Sequence, residues 1–333
     1  MATARSKSER FDLYQHVTDA VVAALEAGTC PWRKPWNVPG ACIGEHRSVA
    51  TGKAYRGCNQ FLLGMVAASA GYASNWWMTY RQAEALGGNV RKGERSHVVV
   101  YWTFIDAKPA KGPPAPAPGT AAKRIPILRY FRVFNVAQVE NLPADVLAKY
   151  GAAQAPAAPS AKGQPDTAPE AAMRATLAAY VQRSGVGLTH GGGSAHYRPS
   201  VDCITMPEAP TFESTAHYLC TLAHECAHST GAAKRLNRDG ITAKAAFGTA
   251  VYSREELVAE LAAAFVAGSH GATTPDVDAN RDAYLANWAK ALRDDPRAIV
   301  VAAGAAQRAA EYMIGDDAAD APADAADVDG TDD

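Results

Sequence analysis

A His-Glu-x-x-His signature occupies residues 224–228 of the chain, in the sequence His-Glu-Cys-Ala-His. Residues four apart on a helix lie on one face, so His224 and His228 can present two imidazoles to one metal ion. The carboxylate of Glu225 lies beside them and can act as a general base toward a water molecule that the metal polarises. Two surface histidines on an ordinary helix would show the same spacing. The surrounding residues are mostly apolar, however, and buried His and Glu side chains need partners, which favours a metal site.

A zinc site usually takes a third protein ligand, and a second helical stretch at 253–265 offers candidates for it. Its pattern predicts Ser253 as the N-cap, with a Glu three residues later as in a capping box. Glu256 and Glu260 lie one turn apart on a face of otherwise small, apolar residues. In the thermolysin-like zincins the third ligand is a Glu on a second helix, and an acid four residues later supports a ligand histidine. The pair resembles that arrangement, with Glu256 as the metal ligand and Glu260 as the acid that supports a ligand histidine. The two roles could be reversed. Glu255 is assigned to a solvated helix face or a capping position.

Charge is divided unevenly along the 333 residues, although the formal net charge is only −1. Residues 1–140 carry 18 basic and 9 acidic side chains, whereas the rest of the chain carries 15 basic and 25 acidic ones. The N-terminal part is therefore a candidate for binding a polyanion, and the C-terminal part is not. A difference in charge could also serve solubility alone.

The cysteines and the hydropathy of the chain indicate a cytoplasmic protein. None of the six cysteines forms a Cys-x-x-Cys pair, which excludes a zinc ribbon and suggests reduced thiols. The charged N-terminus lacks the apolar core of a secretory signal. No apolar run approaches the roughly 20 residues that span a bilayer, so we expect no membrane partner.

A loop near the N-terminus combines rings and cations: Trp32 and Trp36 flank Arg33 and Lys34 between two prolines. This combination suits single-stranded nucleic acid, because bases stack on rings and phosphates meet cations. Either tryptophan alone could equally anchor the loop over a core.

Two further parts of the N-terminal half could contact DNA. Arg56 and Asn59 precede an apolar helix, whose N-terminus could bind a phosphate between them. Two β-branched and aromatic strands are predicted at 96–105 and 124–134, joined by a loop rich in Pro and Ala. The second strand carries arginines among its aromatic residues.

The order and number of the motifs resemble ArdC-type antirestriction proteins. The resemblance to their N-terminal domain, which also occurs on plasmid primases, rests on Pro31–Trp36, Thr51–Asn59, Trp77–Ala83, Gly88–Glu94 and Phe131–Glu140. The resemblance to the zincin-like domain that follows it rests on His224–His228, Arg235–Arg238 and Glu255–Glu260.

The resemblance implies a DNA-binding domain that favours single strands, followed by a metallopeptidase domain. It implies that the protein protects the incoming DNA of a mobile element from host restriction, with a host restriction component as a possible protein substrate. The implied metal is Zn²⁺ or another divalent ion such as Mn²⁺, held by His224, His228 and Glu256, with Glu225 as the catalytic base. The expected DNA contacts are Trp32, Arg33, Lys34, Trp36, Lys53, Arg56, Asn59, Trp77, Arg81, Arg91, Lys92, Arg129 and Arg132.

We therefore expect an α+β fold of two domains. An α+β domain that binds single-stranded DNA is predicted over 10–145, with a flexible hairpin loop at 108–123. A linker over 146–169 leads to a mostly helical, zincin-like domain with a small sheet over 170–314, and a disordered acidic tail follows over 315–333. The alternative is a pure single-stranded DNA-binding or replication accessory protein whose metal site is structural or inactive.

Overall fold

The computed structural model describes residues 11–32, 44–106, 124–151, 160–243, 250–272 and 281–316. It has the predicted two-domain α+β architecture: a mixed N-terminal domain and a mostly helical C-terminal domain with one small sheet. Within these ranges no helix combines the length and the apolar character needed to cross a membrane. The cysteines in these ranges are free thiols.

The N-terminal domain is built around a long hairpin. Its helices and strands are α1 (Leu13–Glu26), β1 (Arg47–Ser48), α2 (Cys58–Ala70), β2 (Trp76–Met78), α3 (Tyr80–Ala85), β3 (Asn89–Val90), β4 (His97–Asp106), β5 (Arg124–Asn135), β6 (Val139–Glu140) and α4 (Ala144–Tyr150). The main sheet has the order β1-β2-β5-β4, in which only β1 and β2 are parallel, and β3 pairs separately with β6.

The β4–β5 hairpin lies between the first two helices. The strands pair antiparallel with Val99 opposite Phe131, so Val99 and Val133 share one face and are fully buried against α2. Trp102 lies on the other face, where its ring centroid is 6.4 Å from that of Tyr14 on α1. The two predicted strands are thus present, whereas the predicted loop at 108–123 lies outside the described residues.

The C-terminal domain is a helical bundle with a three-stranded sheet. Its elements are α5 (Ala168–Ser184), β7 (Gly187–His190), β8 (His196–Arg198), β9 (Cys203–Met206), α6 (Thr215–Thr230), α7 (Asp239–Thr242), α8 (Ala250–Ser269), α9 (Arg281–Asp294) and α10 (Ala298–Ile314). The sheet order is β7-β9-β8, with β8 antiparallel to β9. Helix α6 begins after the N-cap Ser214, whose hydroxyl accepts the amide of His217, and it ends at Gly231.

The two domains share one hydrophobic core. Helix α1 packs against α9 and α10, and the hydroxyl of Thr18 donates to the carbonyl of Pro296 at 2.7 Å. The ring of Trp32 packs edge-on against Phe61 of the N-terminal domain and Trp288 of α9. The predicted linker begins within α4, and its residues 152–159 lie outside the described ranges, so the domain boundaries remain a prediction.

Candidate metal centre

Helix α6 directs both histidines of the signature to the same point. The ring centroids of His224 and His228 are 4.7 Å apart, and their Nε2 atoms are 3.0 Å apart. The other faces of the helix bury Leu219, Ala223 and Ala227 in the core, which fixes the rotation of the helix about its axis. The two imidazoles are therefore positioned by the packing of α6 and not by a loop.

Helix α8 supplies a third donor beside the two imidazoles. The Oε2 atom of Glu256 lies 3.5 Å from His224 Nε2, and its Oε1 atom lies 3.6 Å from His228 Nε2. Leu257 and Leu261 of the same helix are buried in the core that α8 shares with α6. Helix packing thus brings Glu256 next to histidines that lie 28 and 32 positions before it in the sequence.

The spacing of these three donors fits a divalent metal. Zinc–nitrogen and zinc–oxygen bonds of about 2.0–2.2 Å in a tetrahedron place ligand atoms roughly 3.4 Å apart. The separations of 3.0, 3.5 and 3.6 Å between the donors of His224, His228 and Glu256 bracket that value. Two imidazoles and a carboxylate are the donor set of catalytic zinc sites, which keep the fourth position for water or substrate. The same donors also suit Mn²⁺.

Glu260 contacts the ring nitrogen of His224 that points away from Glu256 and His228. Its Oε1 atom is 3.6 Å from His224 Nδ1, whereas Glu256 faces Nε2 of the same ring. A carboxylate on the far nitrogen fixes the tautomer and the orientation of a ligand histidine. Of the two roles that the sequence leaves open, the geometry favours Glu256 as the ligand and Glu260 as its support.

The assignment of Glu255 to a solvated face is wrong. Its side chain is only 6% exposed and lies 3.4 Å from His228 Nδ1. Its two oxygens accept hydrogen bonds from Arg238 at 2.5 and 3.0 Å. Arg238 also donates to the carbonyl of Ala227, which ties this pair to the end of α6. The predicted N-cap is wrong as well, because α8 begins at Ala250 and Ser253 lies inside the helix.

The carboxylates around His228 change its protonation in the metal-free protein. Burial alone would lower the pKa of His228, but its hydrogen bonds and ion pairs with Glu255 and Glu256 raise that pKa to about 9. Burial opposes ionisation of Glu256, yet hydrogen bonds to His224 and His228 lower the pKa of this carboxyl. A metal that binds through Nε2 must therefore displace a proton from His228.

We expect the affinity for Zn²⁺ to fall roughly tenfold for each pH unit below about 9, because one proton leaves His228 when the metal enters. The raised pKa means that the protonated form is favoured below that value and lost above it. Competition with a chelator of known pH dependence measures the slope. Glu255→Gln is the matched variant, since it removes a charge that raises the pKa and should lower the pH below which the affinity falls. An affinity independent of pH would contradict this protonation state.

Two further groups lie close to the three donors. Glu225 is buried on α6, next to His224, with 7% of its surface exposed. Tyr252 lies one turn before Glu256 on α8. Burial, the hydrogen bond and charge of Glu256 and the charge of Glu225 raise the pKa of Tyr252 to about 12, so its phenol stays protonated. Sequence reasoning missed Tyr252, although its spacing of four residues from Glu256 is a usable signal.

Three predicted DNA contacts belong to the core, which corrects the interpretation of the sequence. Trp32 is 4% exposed, and Trp77 is fully buried and donates from Nε1 to His46 Nδ1 at 3.1 Å. The amide of Asn59 donates to the carbonyl of Val100 at 2.7 Å and accepts from its N–H at 2.8 Å. These side chains hold the helices and the hairpin together, so none of them lies on the outer surface of the domain.

The other predicted contacts fall into three groups. Arg33, Lys34 and Trp36 lie outside the described residues. Two arginines are engaged in ion pairs, Arg56 with Glu311 and Arg91 with Glu94. The side chains exposed to solvent are Lys53, Arg81, Lys92, Arg129 and Arg132.

Two exposed aromatic residues near Arg132 are further candidates for contact with DNA. Phe11 is 49% exposed and Tyr130 is 40% exposed, and their ring centroids are 5.4 Å apart. Arg132 lies over the Tyr130 ring at 5.9 Å. Arg129 points to the opposite face of the hairpin, because side chains alternate along β5. We call Phe11, Tyr130 and Arg132 the hairpin patch.

Comparison with known proteins assigns both domains. Residues 11–134 match the N-terminal domain of anti-restriction factor ArdC, and residues 175–305 match a zincin-like metallopeptidase domain. Protein y4eC of Sinorhizobium fredii is 38% identical over 315 residues, which cover 94% of this chain and 95% of that protein. The DNA primase TraC of Escherichia coli is 35% identical over 316 residues, which cover 90% of this chain but only 20% of the primase.

Solved structures agree with this assignment over almost the whole chain. The metal-free crystal structure of the antirestriction protein ArdC from plasmid R388 is 37% identical, with a TM-score of 0.69 over 91% of this chain and 97% of that one. The Mn(II)-bound structure of the same protein is 36% identical, with a TM-score of 0.68 and the same coverage. With both domains matched in the same order and nearly complete coverage, the chain belongs to the ArdC family of antirestriction proteins.

Proposed function

We propose that this protein is a zinc-dependent metallopeptidase that also binds single-stranded DNA and protects the incoming DNA of a mobile element from host restriction in the cytoplasm. The observation that carries the proposal is the convergence of His224, His228 and Glu256 beside the buried carboxylate of Glu225. Family membership supports the antirestriction role, and the Mn(II)-bound ArdC structure supports a divalent ion, including Mn²⁺, in this family.

In the proposed reaction His224, His228 and Glu256 hold the ion, which when bound polarises a water molecule and the scissile carbonyl. Glu225 accepts a proton from the attacking water and passes it to the leaving amine. The protonated phenol of Tyr252, which donates to Glu256 in the metal-free protein, would turn to the carbonyl oxygen as negative charge develops on it once Glu256 binds the ion. Glu255 and Glu260 keep the two imidazoles in the tautomer whose Nε2 faces the ion.

The hairpin patch and the exposed cations support binding to single-stranded DNA. Exposed Phe11 and Tyr130 offer ring faces to bases, and Arg132 beside them offers a cation to phosphate. Lys53, Arg81, Lys92 and Arg129 are further exposed cations of the same domain.

A second candidate function is a DNA-binding replication accessory protein whose metal site is structural or inactive. The similarity to the primase TraC favours it, because that relationship covers 90% of this chain. The chain spans only 20% of the primase, however, and no primase motif is recognisable in its sequence.

Transfer of unmodified DNA tests the proposed function directly. Expression of the chain should raise the establishment of an unmodified plasmid in cells that have a restriction system and leave it unchanged in matched cells that lack one. An equal effect in both cell types would indicate a role in replication instead. No effect in either would contradict both candidates.

A further inference from the structure

A cavity of about 440 Å³ lies between the two domains, on the side of α8 away from its N-terminus. One wall comes from the segment around Trp32 and from α2, and the other from the C-terminal ends of α8 and α10. Its volume falls within the range of roughly 300–1,000 Å³ that is usual for small-molecule sites. It is separate from the three metal donors, none of which lines it.

Aromatic side chains form part of the lining. The rings of Trp32, Phe61 and Phe265 reach the cavity, and Trp32 is held in place by its edge-on contacts with Phe61 and with Trp288. Such walls suit a flat ligand with π faces. A planar occupant with apolar faces would fit these walls.

The polar groups of the lining offer donors on one side. The indole of Trp77 can only donate, so His46 accepts through Nδ1 and carries its own proton on Nε2. Burial lowers the pKa of His46 to about 4, so the ring is neutral. The ligand thus needs acceptor atoms on its edge.

Acceptors and charges complete the lining. The carboxylate of Glu311 accepts from Arg56 at 2.6 Å and from Gln307 at 3.0 Å, which leaves lone pairs for a ligand donor. Glu45 and Asp316 add negative charge, while Lys53 is exposed at the same site. The acidic side chains disfavour a phosphate group inside the cavity. A phosphate could still bind at the edge of the cavity where Lys53 lies.

We infer that this cavity receives one unstacked base of single-stranded DNA, an inference that rests on the DNA binding proposed above. A base is planar, has π faces for stacking, and carries both donors and acceptors on its edge. His46 faces its acceptors, Glu311 faces an amino group, and Lys53 meets the adjoining phosphate. The cavity also lies on α8 one turn beyond Glu260, so DNA bound there contacts the helix that carries the metal site.

Two helical glycines allow a matched test in the full-length protein. A Cβ atom added at Gly268, which lines the cavity, would meet no atom of another part of the fold within 4 Å, and the same holds for Gly304 on α10, which does not line it. Gly268→Leu should fill the cavity, whereas Gly304→Leu should leave it open while giving the same gain in helix propensity. Binding of labelled oligonucleotides of about 16 nucleotides, followed by fluorescence anisotropy at fixed salt, measures the effect.

We expect Gly268→Leu to weaken binding about 10- to 100-fold, as for loss of one stacked base, and Gly304→Leu to bind as the wild type does. Both should keep the wild-type affinity for Zn²⁺, which serves as the test of folding. Glu311→Gln provides a second variant, which should change the preference among dA, dC and dT oligonucleotides. Equal binding by both glycine variants, or equal loss, together with an unchanged base preference, would overturn the inference. A wild type that does not bind single strands would instead overturn the proposed DNA binding itself.

Discussion

Glu225→Gln should leave the metal site intact but lower peptide hydrolysis by about 100- to 10,000-fold, the usual contribution of a general base. Glu225 is not one of the three donors, so a neutral amide of the same shape removes only the proton acceptor. Cleavage of a quenched fluorescent peptide library, together with the zinc content of the purified variant, measures both properties.

Glu213→Gln is the matched control for this substitution. Glu213 precedes the N-cap of the same helix, and its side chain is 70% exposed, so the identical chemical change there should leave hydrolysis unchanged. If Glu225→Gln cleaves as fast as the wild type, the carboxylate is not the base. If the variant loses its metal as well, a structural role for Glu225 replaces the catalytic one.

Glu225→Gln also separates the two candidate functions in cells. Protection of unmodified DNA should disappear in Glu225→Gln if proteolysis is the mechanism. Protection that persists while hydrolysis is lost would assign the antirestriction effect to DNA binding, with the peptidase site serving another purpose. The comparison is best made in the full chain, because a fragment ending near residue 145 would expose Trp32, Phe61 and the α1 face that pack on α9 and α10.

The metal site could be predicted from the sequence because its key contacts follow helix periodicity. His224 and His228 share a face by their spacing alone, and so do Glu256 and Glu260, which left only the contact between the two helices to be assumed. The paired strands β4 and β5 were equally accessible, since they depend on local residue types.

The sequence was misleading where the same residue type serves two purposes. Tryptophan and asparagine suit DNA contacts, yet Trp77 and Asn59 form buried hydrogen bonds to partners 31 and 41 residues away. Glu255 looked solvated because its partner Arg238 lies on another segment, 17 residues upstream. Each error reflects a tertiary contact that carries no local signal.

Three glutamates of α8 should give three different results when each is replaced by Ala. Glu256→Ala removes a metal donor and should lower the metal affinity more than Glu255→Ala or Glu260→Ala does. Glu260→Ala removes only the support of His224 Nδ1 and should weaken metal binding about 10- to 100-fold. Affinity for Zn²⁺ by chelator competition and the free energy of unfolding of the metal-free protein distinguish the roles.

Glu255→Ala should act mainly on stability. It leaves the guanidinium of Arg238, whose side chain is 12% exposed, without its charge partner, and removing one member of a buried pair costs about 3–5 kcal/mol. Glu256→Ala should lower the free energy of unfolding of the metal-free protein only slightly. Without Glu256 the imidazole of His228 can become neutral, so no unpaired charge is left behind. The three substitutions thus serve as controls for one another on a single helix. If Glu260→Ala loses more metal affinity than Glu256→Ala, the two acids have exchanged roles. If neither loses any, the metal lies elsewhere and the convergence of α6 and α8 is a buried ion-pair network.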